Sequence, residues 1–125
     1  MPGTKSHDFD VTYISARAAL RTATAPEADP SAIVAGELVT LSEDRHGYNG
    51  RIFVAATIPG TTSSVTVGLY LDVLGDGVSW VLADSAITTV SALLQFTGLP
   101  PGSYAVLMTA RTGSGTITFY EQHTA

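Results

Sequence analysis

From Arg51 to the end of the chain, apolar side chains recur at every second position. Side chains that alternate between two faces belong to an extended strand, so this part of the chain is read as β-structure. The clearest stretch is SVTVGLYLDVL, residues 64–74. It puts Val65, Val67, Leu69, Leu71 and Val73 on one side, with Thr66, Gly68, Tyr70 and Asp72 on the other. RIFVAATI, 51–58, aligns Ile52, Val54, Ala56 and Ile58. In VSWVLA, 78–83, the pattern assigns Trp80 to the core together with Val78 and Leu82. AITTVSALLQF, 86–96, aligns Val90, Ala92, Leu94 and Phe96. SYAVLMTA, 103–110, aligns Tyr104, Val106 and Met108, and TITFYEQ, 116–122, turns Ile117 and Phe119 inward.

Turn signals separate these runs. PGTTS, 59–63, holds Pro and Gly, while GDG, 75–77, and GSG, 113–115, read as the tight links of hairpins. Six strands in about 70 residues, spaced in this way, imply a sandwich or a barrel.

The first fifty residues differ. FDVTYI, 9–14, reads as a strand with Phe9, Val11 and Tyr13 on one side. SARAALRTATA, 15–25, permits a helix by its alanines, but Thr22, Thr24 and Pro26 favour an extended segment. APEADPSA, 25–32, is a loop with Pro and acids, IVAGELVTL supplies a further strand, and SEDRHGYNG, 42–50, is a polar loop. The chain thus divides into an N-terminal arm, residues 1–32, and a β-sandwich domain, residues 33–125. The arm packs either on its own sandwich or on a neighbour.

LQFTGLPPGSYAVLMTA, 94–110, resembles the corner that crosses between sheets in fibronectin type III and related immunoglobulin-like sandwiches. Pro fixes φ and Gly accepts unusual dihedrals, so the chain can leave one sheet there and enter the other. The resemblance implies that Tyr104 fills the corner and that its hydroxyl bonds back to the backbone. Here Tyr104 follows Leu99 by five positions, one fewer than that family shows, and Trp80 sits mid-chain. The expected fold is therefore an all-β antiparallel sandwich with an extended N-terminal arm, either jelly-roll or Ig-like in strand order.

In length, absence of cysteine, Thr/Ala/Gly-rich strands and leading arm, the chain also resembles the small β-sandwich proteins that decorate tailed-phage capsids. That resemblance implies a virion structural protein.

Composition narrows the functional classes. Acids outnumber bases eleven to six, and the basic residues form no run. Phosphate binding needs clustered Lys and Arg, so no nucleic-acid partner is expected. No apolar run approaches the length of a membrane span, and the polar start MPGTKSHD is not a signal peptide, so a soluble, non-membrane protein is expected. Without cysteine there is neither disulfide nor thiolate metal site. Charged residues make up 14% of the chain while Thr occurs 17 times, and a hydroxyl surface with few charges is poorly protected against association.

The candidate chemistries are thin. His7, His46 and His123 have no metal-ligand spacing, although Asp44 and His46 could together touch a metal. Asp72 and Asp76 stand four apart without an EF-hand pattern, and Asp76 is accounted for as a turn residue. Glu37, Glu43, Asp72 and Asp84 could supply paired carboxylates, but each reads as a solvated strand or loop position. No Gly-x-Ser-x-Gly elbow occurs, and TGSGT, 112–116, lacks the lysine of a phosphate loop. Tyr48, Tyr70 and Tyr120 are too dispersed for a sugar platform.

The expectation is a non-enzymatic assembly protein with no catalytic residue, metal or cofactor. It would pack on copies of itself and on a capsid or other virion protein, and so reside in the virion. Phe9, Val11, Tyr13 and Leu20 are the expected partner contacts of the arm, with Arg17 and Arg21 pairing with acids on the partner. The alternative is a module that binds glycan or a receptor through loop 42–50, where Arg45 and Tyr48 would carry recognition.

Overall fold

The computed structural model describes residues 19–42 and 50–124. Eight strands are found among them: β1 (Arg21–Ala23), β2 (Val39–Leu41), β3 (Ile52–Thr57), β4 (Thr62–Asp72), β5 (Trp80–Thr88), β6 (Ala92–Phe96), β7 (Gly102–Gly113) and β8 (Ile117–Thr124). They form two four-stranded sheets, ordered β1-β8-β3-β6 and β2-β7-β4-β5. All strand pairs are antiparallel.

The order decides between the two topologies left open by the sequence. β1 pairs with β8, β2 with β7, β3 with β6 and β4 with β5. This nesting is one long antiparallel ribbon, folded at the β4–β5 hairpin and then rolled so that its successive pairs fall alternately in the two sheets. The fold is a jelly roll of eight strands. β4 and β5 are consecutive strands that pair with each other; the other links between consecutive strands cross from sheet to sheet. The Gly-Ser-Gly segment at 113–115 is therefore a crossing from β7 to β8 and not the hairpin turn expected for it.

Alternation fixes the core. Val65, Val67 and Leu69 of β4 are fully buried, as are Ile52 and Val54 of β3 and Tyr104, Val106 and Met108 of β7. Leu94 and Phe96 of β6 and Ile117 and Phe119 of β8 join the same cluster. In β7 the residues between these, Ala105 and Leu107, are buried too, although they point away from that cluster. The link between β1 and β2 lies against this strand through a 3-10 turn, Pro30–Ala32, capped by the Asp29 side chain at the Ser31 amide.

The crossings are pinned to one another in pairs. At one end, the Leu99 amide in the β6–β7 corner donates to the Gly50 carbonyl just before β3, at 2.9 Å. Gly50 has φ +63°, and a Cβ there would meet the Leu99 carbonyl, so only glycine fits. At the other end, the Thr61 and Thr62 hydroxyls donate to the Ser114 carbonyl at 2.7 and 2.6 Å, and the Ser114 amide donates to the Thr61 carbonyl.

The corner at 97–102 behaves as its resemblance implies. It carries the chain from β6 in one sheet to β7 in the other, and the Tyr104 hydroxyl donates to the Pro100 carbonyl.

Candidate functional site

The two long sides of the sandwich are finished differently. On one side lie β1 and β2, three residues each, beside the much longer β8 and β7. β2 pairs with Gly102–Tyr104 of β7 and then stops. Past that point, unpaired backbone on β7 would face outward. Arg21 and Glu27 occupy that edge. The Arg21 guanidinium reaches from β1 across to the opposite sheet and donates to the Val106 carbonyl at 2.9 Å. Glu27 accepts the Met108 amide at 3.0 Å, and its own amide donates to the Met108 carbonyl at 2.7 Å. The two side chains form a two-pronged ion pair, Nη1 to Oε1 at 2.9 Å and Nη2 to Oε2.

This finding revises the partner contacts expected at Leu20 and Arg21. Arg21 is 7% exposed and is engaged by its own Glu27, not by a partner's acid. Leu20 packs against the chain's own core, and its amide donates to the Phe119 carbonyl. From Leu20 onward the arm is therefore in place on its own subunit. The other expected contacts, Phe9, Val11, Tyr13 and Arg17 in the arm and Arg45 and Tyr48 in the polar loop, lie outside the described residues.

On the opposite side, β5 and β6 are the last strands of their sheets among the described residues. Nine large aliphatic side chains are conspicuously exposed among the described residues, and eight of them fall between residues 73 and 93. They are Val73, Leu74 and Val78 at the hairpin tip, Val81, Leu82 and Ile87 on β5, Val90 in the crossing, and Leu93 on β6. Asp76 and Asp84 are the charged residues of this stretch, and it contains no proline. β5 pairs with β4 along one edge, and a bulge at Ala83 is the one irregularity in that ladder. An edge strand with few charges and exposed aliphatics is what soluble monomers normally avoid.

The core placement expected for Val78 and Leu82 is thereby overturned: they are 71% and 52% exposed. Val90, expected to align with the core residues of β6, is exposed as well. Trp80 is half-buried, and its indole N–H donates to the Gly77 carbonyl at 2.9 Å. The physical reason is position. Alternation gives a strand two faces, but at the margin of a sheet neither face is fully covered.

The hairpin tip accounts for the acids at 72 and 76. Asp76 accepts the Val78 and Ser79 amides through Oδ1 at 3.0 and 2.9 Å, and the Ser79 hydroxyl through Oδ2 at 2.8 Å. The Val78 amide first, and then the Ser79 hydroxyl, hold its carboxyl below the ordinary 3.8. Asp72 Oδ2 accepts the Gly77 amide at 2.8 Å. These carboxylates order a seven-residue loop, 73–79, longer than the tight Gly-Asp-Gly link expected there. Among the described residues no group of three or more His, Cys, Asp or Glu stands close enough to hold a metal ion.

The remaining candidates are not brought together. Glu37 lies in a 3-10 turn, Asp72 ends β4 and Asp84 sits in β5, while Glu43 and Asp44 lie outside the described residues together with His7 and His46. Tyr70 and Tyr120 are half-buried and face away from the core on different sheets, so they make no common platform. On the outer face of the first sheet, Phe53 carries the Arg51 guanidinium 5.8 Å from its ring centroid. Among the described residues no helix is long and apolar enough to cross a membrane.

Compared with family models, with curated proteins and with solved structures, the chain matches none.

Proposed function

We propose that this chain is a non-enzymatic assembly protein, a rigid jelly-roll block that packs on copies of itself and on a larger lattice. The observation that carries the reading is the concentration of exposed aliphatic side chains between residues 73 and 93, on the side opposite the sealed Arg21–Glu27 edge. Apolar surface concentrated on one side of a domain marks a place where something else docks. A virus particle, with a tailed-phage capsid protein as the lattice, is the setting we propose for it. The sequence likeness to capsid decoration proteins supports that setting, and the jelly roll is compatible with it. The same fold serves lectins, so fold alone does not choose. Phe9, Val11, Tyr13 and Arg17 retain the role of arm contacts with a neighbour in this proposal.

The second reading is a glycan- or receptor-binding module. In its favour, Phe53 and Tyr120 share the outer face of the first sheet. Arg45 and Tyr48 would carry recognition in that case.

Light scattering across a range of concentrations separates the two. The assembly reading expects the full chain to associate, and expects association to weaken when Leu74 and Val78 are both changed to Ser. A chain starting at Ala19 tests the arm without removing β1, Arg21 or Glu27. A full chain that stays monomeric, mixes inertly with virion proteins and binds a glycan through Tyr48 overturns the reading.

A further inference from the structure

We propose that the β5 edge is closed by a second copy of this chain, β5 against β5, so that the β2-β7-β4-β5 sheets of two subunits become one continuous sheet about a two-fold axis. The inference rests on the assembly reading above and names its partner. Three observations carry it.

The first is the edge itself. β5 spans nine residues, about 30 Å at the rise of an extended strand. Its pairing partner among the described strands is β4; within the strand the Ser85 amide donates to the Asp84 carboxylate at 2.8 Å, a bond that pairing with a neighbour would exchange. The bulge at Ala83 bends the strand there, but the ladder is regular from Asp84 to Thr88. A two-fold axis at Ala86, the middle of that regular run, sets small side chains where the two strands come closest. It places Asp84 opposite Thr88 of the second copy, and Ile87 opposite Ser85. The charge of β5 then meets a hydroxyl instead of its own duplicate.

The second is extent. The eight exposed aliphatics together amount to about five whole side chains left in water. At roughly 60–120 Å² per aliphatic side chain, as usual burial energies imply, they present about 300–600 Å² of apolar surface. A standard interface buries about 800 Å² per partner, of which some 450–520 Å² is apolar. The strip's total is divided between faces: Leu82 and Ile87 pair with Tyr70 and Thr66 on the outer face of one sheet, and Leu93 pairs with Ala55 on the outer face of the other, so a second β5 covers the share along β5 and not the whole.

The third is charge. The stretch 73–93 holds two acids and no base, −2 of the chain's net −5. Pairing about Ala86 keeps those acids apart, because Asp84 meets Thr88 of the second copy and Asp76 lies in the loop beyond the far end of β5. Closed two-fold pairing is also the commonest way for identical subunits to satisfy such a surface.

The chain lacks cysteine, so single-cysteine variants give an unambiguous test. Asp84→Cys, Ser85→Cys, Ala86→Cys and Ile87→Cys are made singly in the full chain, with Thr22→Cys on β1 as the reference edge. Circular dichroism of the reduced proteins checks that each folds. Mild oxidation at micromolar concentration is expected to give disulfide-linked dimers at one of the four β5 positions, at least tenfold above Thr22→Cys. Only residues next to the axis bring their own duplicates within the 4.4–6.8 Å Cα separation a disulfide requires. Association by light scattering with no β5 crosslink above the reference overturns the β5 pairing and leaves the assembly reading standing. A full chain that is monomeric at every concentration, and uncrosslinked, overturns both.

Discussion

Arg21 and Glu27 form an ion pair that completes a sheet: where β2 stops, their side chains and the Glu27 backbone bond the carbonyls and amide of Val106 and Met108. Sequence separation is six residues, but the pair joins β1 of one sheet to β7 of the other. An exposed ion pair contributes little, whereas the Arg21 side chain here is 6% exposed and each partner is also bonded to backbone.

Removing one member strands the other. Arg21→Met is expected to lower unfolding stability by about 2–4 kcal/mol, toward the lower end because Glu27 keeps a quarter of its side chain in water. Urea denaturation measures it. Adding Glu27→Gln to Arg21→Met should cost less than the two single changes summed, since the double variant buries no unpaired charge. Additive losses would show that the two residues act independently.

The corner gives a second expectation. Tyr104 is fully buried and its hydroxyl donates to the Pro100 carbonyl. Tyr104→Phe keeps the ring and removes that bond, which should cost about 1–2 kcal/mol. Gly50→Ala should cost about 2 kcal/mol or more, because it combines a positive φ with a clash at the Leu99 carbonyl. Thermal or denaturant melts rank them, and a neutral Gly50→Ala would show that β3 is entered by another path.

Much of this architecture is legible in the residues. Val65, Val67 and Leu69, or Tyr104, Val106 and Met108, announce their inward face by alternation because they lie in central strands covered by neighbours. The corner is legible because Pro, Gly and Tyr have local reasons to be there. Val78 and Leu82 carry the same alternation and are exposed, since periodicity does not record whether a strand ends up at a margin. The sheet crossing at 113–115 looked like a hairpin turn because glycine permits either. Arg21 was legible as a cation but not as a buried one: its partner Val106 is 85 residues away, as Glu27's partner Met108 is 81 away, and only the rolled ribbon brings them near. The β5 edge left a usable signal, a nine-residue stretch rich in β-formers with a single charge and no proline, which is the signature of an association-prone edge.

At the hairpin tip the expectation is a local pH response. Hydrogen bonds from Val78 and Ser79 lower the Asp76 carboxyl below its ordinary 3.8. A group depressed in the folded state contributes its order above the unfolded value and loses it as pH falls through the folded one. The tip should therefore be intact at pH 5 and above, begin to loosen as pH drops past 3.8, and open once Asp76 is protonated. Faster hydrogen exchange at the Val78 and Ser79 amides would report it, and Asp76→Ala should show that faster exchange already at pH 7. Protection unchanged by either manipulation would mean that the Asp72–Gly77 contact alone orders the loop.

The last expectation separates what β5 does for its own subunit from what it offers a neighbour. Leu69 and Ile87 belong to adjacent strands of one sheet, yet Leu69 is fully buried and Ile87 is 72% exposed. Leu69→Ala removes core volume and should cost about 2–5 kcal/mol of folding stability. Ile87→Lys places a charge in water beside Thr66, so the isolated fold should change by no more than about 0.5 kcal/mol. If the aliphatic strip is an interface, that same lysine should abolish association, since two copies would each have to bury it. Denaturation at low concentration and light scattering at high concentration read the two quantities separately. A lysine that destabilises the monomer, or that leaves association intact, would show that Ile87 belongs to its own subunit's packing after all.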